Sequence, residues 1–101
     1  ARIPLLRNPE TGNYELYREA PHPTEPGQVL RAAQLRGSSS TNDLLDLLAD
    51  DPHIGPFLTI PGKDNGFDIE GLAVAPDGRL FVGLRGPVLR GWACVLELLP
   101  Q

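Results

Sequence analysis

Methionine is absent from this sequence, and cysteine occurs only once, as Cys94. A single cysteine excludes a disulfide bond within the chain and leaves the cellular compartment open. The chain begins at Ala1 and not at a methionine. We therefore expect it to be a piece of a longer protein.

Positive charge and long apolar runs are also scarce. Nine lysines and arginines stand against 13 aspartates and glutamates, for a net charge of −4. Nucleic-acid binding requires clustered positive charge, so we expect no nucleic-acid partner. No apolar run of about 18 residues occurs, so we expect no transmembrane helix and no membrane partner.

Familiar catalytic motifs are missing as well. His22 and His53 have no partner at zinc-binding spacing, and neither a Gly-x-Ser-x-Gly elbow nor a phosphate-binding glycine loop occurs. Cys94 alternates with Trp92 and Leu96 in an apolar run. We therefore expect it to be a buried small residue and not a nucleophile, with Trp92 as a packing anchor.

The sequence does contain many turn formers, with 11 glycines and 11 prolines, beside 41% hydrophobic residues. This composition predicts a mainly β fold of short strands. Three strands, Ile69–Ala75, Leu80–Leu84 and Trp92–Leu98, are predicted to form an antiparallel meander, with a Pro-Asp-Gly turn before Arg79. The first and third are apolar on both faces, which predicts burial on both faces.

The rest of the chain is predicted in three parts: an N-terminal hairpin (1–20), a proline-rich linker (21–28) and a blade-like meander with a short helix (29–101). Within the third part, strands are expected at Val29–Leu35 and Phe57–Ile60. The helix is expected near Asn42 to Asp50, where four leucines follow a capping residue. It is too short to persist alone, so its leucines must pack on the sheet.

The candidate site lies just before and within the first meander strand. Asp64, Asp68 and Glu70 supply carboxylates of the kind that bind Ca²⁺ or Mg²⁺. The structural alternative is a turn at Asp64, with Asp68 and Glu70 paired to arginines. Arg85 and Arg90 are the candidates: we expect one of them to pair with Glu70, whereas both arginines could instead hold an anionic ligand.

Two segments, Phe67–Val74 and Gly83–Ala93, resemble a bacterial domain-of-unknown-function family, number 3616. The resemblance runs from about Val29 to Leu98. It implies a bacterial source, with the cytoplasm as the favoured compartment, and a propeller-like sheet, but no settled activity. The Asp-Ile-Glu-Gly-Leu-Ala pattern is also similar to strands of phytase-like and gluconolactonase-like propellers. A blade takes about 40–50 residues and closure at least about four blades, so this length predicts one to two blades of a larger protein.

Three functions follow as alternatives. The first is a propeller-like binding or scaffold module, which associates with itself or with the remainder of its own chain. The second is a fragment of a metal-dependent propeller hydrolase, with Glu70, Asp68 and Asp64 at the metal and Arg85 or Arg90 on the substrate. The third is a self-assembling β module. A carboxylate–arginine pair would favour the scaffold, and a cation bound to Glu70 would favour the enzyme.

Overall fold

The structure, a computed structural model that describes residues 1–100, is mainly β and antiparallel, as predicted. Those residues contain seven strands in three sheets, one α-helix and two short 3₁₀ turns. The strands are β1 (Leu5–Arg7), β2 (Tyr14–Leu16), β3 (Glu19–Pro21), β4 (Val29–Arg31), β5 (Asp68–Val74), β6 (Leu80–Gly86) and β7 (Val95–Leu98), and the helix is α1 (Asp43–Leu48). No helix in this part of the chain is long and apolar enough to cross a membrane.

The first of two compact units, Ala1–Asp43, holds two hairpins. The predicted N-terminal hairpin is confirmed as β1 paired with β2. β3 pairs with β4, so the proline-rich residues form the loop of a second hairpin. Within it, the Nδ1 of His22 accepts the backbone N–H groups of Thr24 (3.2 Å) and Glu25 (3.1 Å). The division at 1–20, 21–28 and 29–101 stays a prediction, and its last residue lies outside the described part.

The second unit, from Leu44 onward, contains the predicted meander in the order β5–β6–β7. The predicted helix is confirmed, with Leu44 and Leu48 buried. They form a core with Ile54 and with Val82 and Leu84 of β6. The predicted strand at 57–60 is wrong, because the chain forms a 3₁₀ turn at Gly55–Phe57, where Pro56 lies in the first turn and its missing N–H removes no helical hydrogen bond.

Burial of both faces of the meander is wrong for its edge strand. Val82 and Leu84 are 5% and 8% exposed, whereas Leu72 and Val74 of β5 are 67% and 66% exposed. Leu72 pairs with Val82, so the two side chains project from the same face of the sheet. The layer that buries β6 therefore ends before it reaches β5.

Trp92 and Cys94 also differ from expectation. Trp92 is 76% exposed and precedes β7, so it is not a packing anchor. Leu89 and Trp92 exchange two backbone hydrogen bonds, and Arg90 and Gly91 between them both have positive φ, as a type I′ hairpin turn requires. Because Trp92 belongs to this tight turn and β7 begins only at Val95, Trp92 does not alternate with Cys94 and Leu96 in one continuous strand. Cys94 is half-buried and packs against the core.

Asp51 fixes the chain just after α1. Its Oδ1 accepts the backbone N–H groups of His53 and Ile54, both at 2.8 Å. The bonds from Ile54 and His53 lower the pKa of the Asp51 carboxyl below its ordinary value, with a smaller contribution from the charge of His53. A pKa lowered by folding gives stability that is complete above the unfolded pKa and is lost as the pH falls through the folded pKa.

We therefore expect Asp51→Asn to reduce the loss of stability in acid. Thermal unfolding measured between about pH 6 and pH 2 should show a shallower fall in Tm for the variant than for the wild type. Asp50→Asn is the matched control, because Asp50 is the exposed neighbour, and it should keep the wild-type slope. Equal acid slopes for the wild type and Asp51→Asn would contradict this assignment.

Candidate functional site

A side-chain clamp joins two loops at the start of β5. The Oδ1 of Asn65 accepts the backbone N–H of Val88 at 2.8 Å, and its Nδ2 donates to the Val88 carbonyl oxygen at 3.2 Å. One amide side chain thus satisfies both backbone groups of a residue 23 positions away. We call this the Asn65–Val88 clamp.

The backbone around the clamp requires small residues. Asn65 has a φ of +65°, a conformation that asparagine adopts more readily than most residues. A Cβ on Gly66 would collide with the carbonyl oxygen of Ile60, and one on Gly86 with the carbonyl oxygen of Gly66. The two loops therefore pack backbone against backbone, and the side chain of Asn65 joins them.

The β5–β6 pairing is irregular next to this clamp. Asp68 pairs with Gly86, Ile69 with Leu84 and Gly71 with Gly83. Arg85 and Glu70 are the extra residues in two successive register shifts that cancel each other. Such bulges redirect side chains, so the alternation that would place Asp68 and Glu70 on one face does not hold here.

The ion pair at this rim joins Arg85 to Asp68 and not to Glu70. The Nη2 of Arg85 lies 2.5 Å from the Oδ2 of Asp68, with the two side chains 57% and 32% exposed. The expected pairing of Glu70 is therefore wrong: it is exposed and takes part in no ion pair within residues 1–100. Arg90 lies at the tip of the type I′ turn and takes part in no ion pair within residues 1–100.

The structure does not gather the proposed metal ligands. Within the described residues, no group of three histidine, cysteine, aspartate or glutamate side chains is close enough to hold a metal ion. Asp64 ends the 3₁₀ turn Gly62–Asp64, and Asp68 is bound to Arg85. Of the residues predicted for the site, the structure brings together only Asp68 and Arg85.

Sequence reasoning missed two residues that organise this sheet. Asn65 belongs to the turn expected at Asp64, and an Asn-Gly pair signals positive φ, but no local pattern indicates its bonds to Val88. Arg79 directly follows the predicted Pro-Asp-Gly turn, and that turn does not indicate a contact with β7. Its guanidinium donates to Asp77 (2.8 Å) and to Glu97 of β7 (2.7 Å) and lies 5.5 Å from the centre of the Phe81 ring. The hydrogen bonds to Glu97 and Asp77 raise the pKa of Arg79 above its ordinary value.

The fold and this rim define a mainly β antiparallel chain with a hydrogen-bonded loop clamp and an exposed apolar edge strand. The profile of the family described as "Protein of unknown function (DUF3616)" matches residues 1–101. The chain belongs to that family, and the match is longer than the Val29–Leu98 span expected from motifs. No curated protein and no solved structure matches the chain.

Replacing Asn65 tests the clamp. Asn65→Ala removes both hydrogen bonds to Val88 and places a Cβ residue at positive φ. We expect it to lower the free energy of unfolding by about 2 kcal/mol. Asn65→Gly loses the same bonds but relieves the backbone, so its cost should be about 1 kcal/mol. Denaturant unfolding measures both, and two unchanged midpoints would contradict a clamp.

The Asp68–Arg85 pair should contribute little to stability. A double-mutant cycle of Asp68→Asn and Arg85→Gln should give a coupling energy below about 1 kcal/mol, because both groups are partly in water. Glu70→Gln is the control and should leave the unfolding midpoint unchanged. A coupling above about 2 kcal/mol would mean that the pair is far less solvated than this geometry shows.

Proposed function

We propose that this chain is a propeller-like binding or scaffold module, whose β5–β6–β7 sheet docks onto a second copy of the chain. The observation that carries the proposal is the apolar strip on β5, made of Ile69, Leu72 and Val74. These side chains are 48%, 67% and 66% exposed. Exposed apolar side chains that adjoin one another are typical of surfaces that bind another protein.

The strip continues a surface that is already buried. Ile69 pairs with Leu84, Leu72 with Val82, and Val74 with Leu80. The β6 partners lie in or beside the core, so the strip extends the same apolar face outward by one strand. A sheet from another copy could cover it without disturbing the packing of α1.

The backbone of β5 supports the same occupant. β5 pairs only with β6, so it is an edge strand of this sheet, and edge strands offer unpaired backbone groups. If two β5 strands pair antiparallel about Leu72, Gly71 of one copy lies opposite Ala73 of the second copy. The carboxylates at the start of each strand then lie at opposite ends of the contact, so like charges are not opposed.

The Asp68–Arg85 ion pair supports the scaffold over the hydrolase. In the hydrolase alternative, Asp68 binds a metal and Arg85 holds an anionic substrate. Here each group takes the other as its partner, and one ion pair accounts for both charges. The Ca²⁺ or Mg²⁺ site at Asp64, Asp68 and Glu70, and anion binding by Arg85 and Arg90, remain predictions. A calcium titration monitored by thermal unfolding tests the first, and a phosphate titration tests the second.

Lysine substitutions on the two faces of β5 test the docking surface. At micromolar concentration, light scattering should give the wild type a mass above the 11.0 kDa of one chain. Leu72→Lys should shift the mass towards 11.0 kDa, because a charge on the strip would have to be desolvated in the contact. The strip is smaller than a standard interface, so we expect weak association.

The matched control is Ala73→Lys. Ala73 is also exposed and lies on the same strand, but it pairs with Phe81 on the opposite face. It should therefore keep the wild-type mass. A monomeric wild type at these concentrations overturns docking between copies, and equal dissociation by both lysines places the contact outside the strip.

A further inference from the structure

We propose that Asn65 is a deamidation site that the Asn65–Val88 clamp protects while the chain is folded. An asparagine cyclises most readily when glycine follows it, because glycine has no side chain that hinders the attack of its backbone nitrogen on the asparagine Cγ. Asn65-Gly66 is the one such pair in the sequence, since Asn8, Asn13 and Asn42 precede proline, tyrosine and aspartate.

Deamidation proceeds through a cyclic imide that the side chain of Asn65 forms with the backbone of Gly66. The backbone nitrogen of Gly66 loses its proton and attacks the side-chain Cγ of Asn65. The side-chain nitrogen leaves as ammonia, and a five-membered cyclic imide forms. Water then opens either carbonyl of the imide, which gives aspartate or isoaspartate, and no oxidant or reductant takes part.

Both reacting groups are occupied in the structure. The N–H of Gly66 donates to the carbonyl oxygen of Pro61 at 3.1 Å, so the nucleophile keeps its proton. The Asn65 carboxamide is held by Val88 on both its oxygen and its nitrogen. Gly66 is buried and packed against the Ile60 carbonyl, so its backbone has little space to move towards the Asn65 Cγ. Cyclisation therefore requires the loop to open first.

The product cannot restore the clamp. An ionised carboxylate at position 65 has no hydrogen to donate to the Val88 carbonyl oxygen. Isoaspartate also adds one carbon to the main chain, directly before a glycine that has no space to move. Deamidation is thus irreversible and marks those chains whose loop has opened. It also adds a negative charge to the net charge of −4.

The rate of deamidation in the folded and the unfolded chain tests the proposal. The 101-residue chain is incubated at neutral pH with and without guanidinium chloride, then digested with trypsin. Cleavage after Lys63 and Arg79 releases Asp64–Arg79, in which Asn65 is the asparagine, so mass spectrometry assigns the amide-to-acid change. We expect conversion at least about ten-fold slower in the folded chain. Equal rates overturn the proposal.

Two variants separate the clamp from folding in general. Val88→Pro removes the N–H that Asn65 accepts, and Val88→Ala keeps it as the matched control. Circular dichroism establishes that each variant is folded. A folded Val88→Pro should deamidate several-fold faster than Val88→Ala, and equal rates overturn the role of the clamp. If Val88→Pro is unfolded, its rate must equal that of the denatured wild type, and a slower rate overturns the proposal.

Discussion

The second unit depends on a backbone contact that admits no side chains. Gly66 and Gly86 bring the loop before β5 and the end of β6 together, and the amide of Asn65 holds them there. This contact sets where β5 starts and where β6 ends. The compensating bulges at Glu70 and Arg85 lie next to this contact, and Arg85 lies beside Asp68 there. The polar chemistry of the rim is therefore a consequence of how closely two stretches of main chain can approach.

The size of the helical layer is the second constraint. α1 has six residues, a length of about 9 Å, and its buried leucines cover β6. They leave the apolar side chains of β5 largely in water, where each leucine or valine forgoes part of the about 1.5–3 kcal/mol that full burial would contribute. A short helix on a three-stranded sheet thus defines both the core and the surface that we propose for docking. The same leucine-rich segment determines both.

The elements that the sequence predicted correctly are those determined by residues close together in the chain. The Pro-Asp-Gly sequence forms its turn, with Gly78 at positive φ, and the leucines after Asn42 form the helix. The mainly β class followed from the same kind of evidence. The misses depend on contacts distant in sequence. Alternating apolar residues could not reveal that Trp92 ends a two-residue turn, and strand periodicity could not reveal two bulges that shift Arg85 from Glu70 to Asp68.

The two ends of the meander are held by interactions of different physical character. At one end, Asn65 and Val88 bond through neutral amide groups, whose strength scarcely changes with dissolved ions. At the other, Arg79 joins the turn to β7 through Asp77 and Glu97, and such exposed ion pairs weaken as counterions screen them. Rising ionic strength therefore weakens the exposed ion pairs at both ends, Asp68–Arg85 beside the clamp and those of Arg79 at the turn, but leaves the neutral Asn65–Val88 clamp in place. At high salt the clamp is thus the side-chain contact of the meander that dissolved ions affect least.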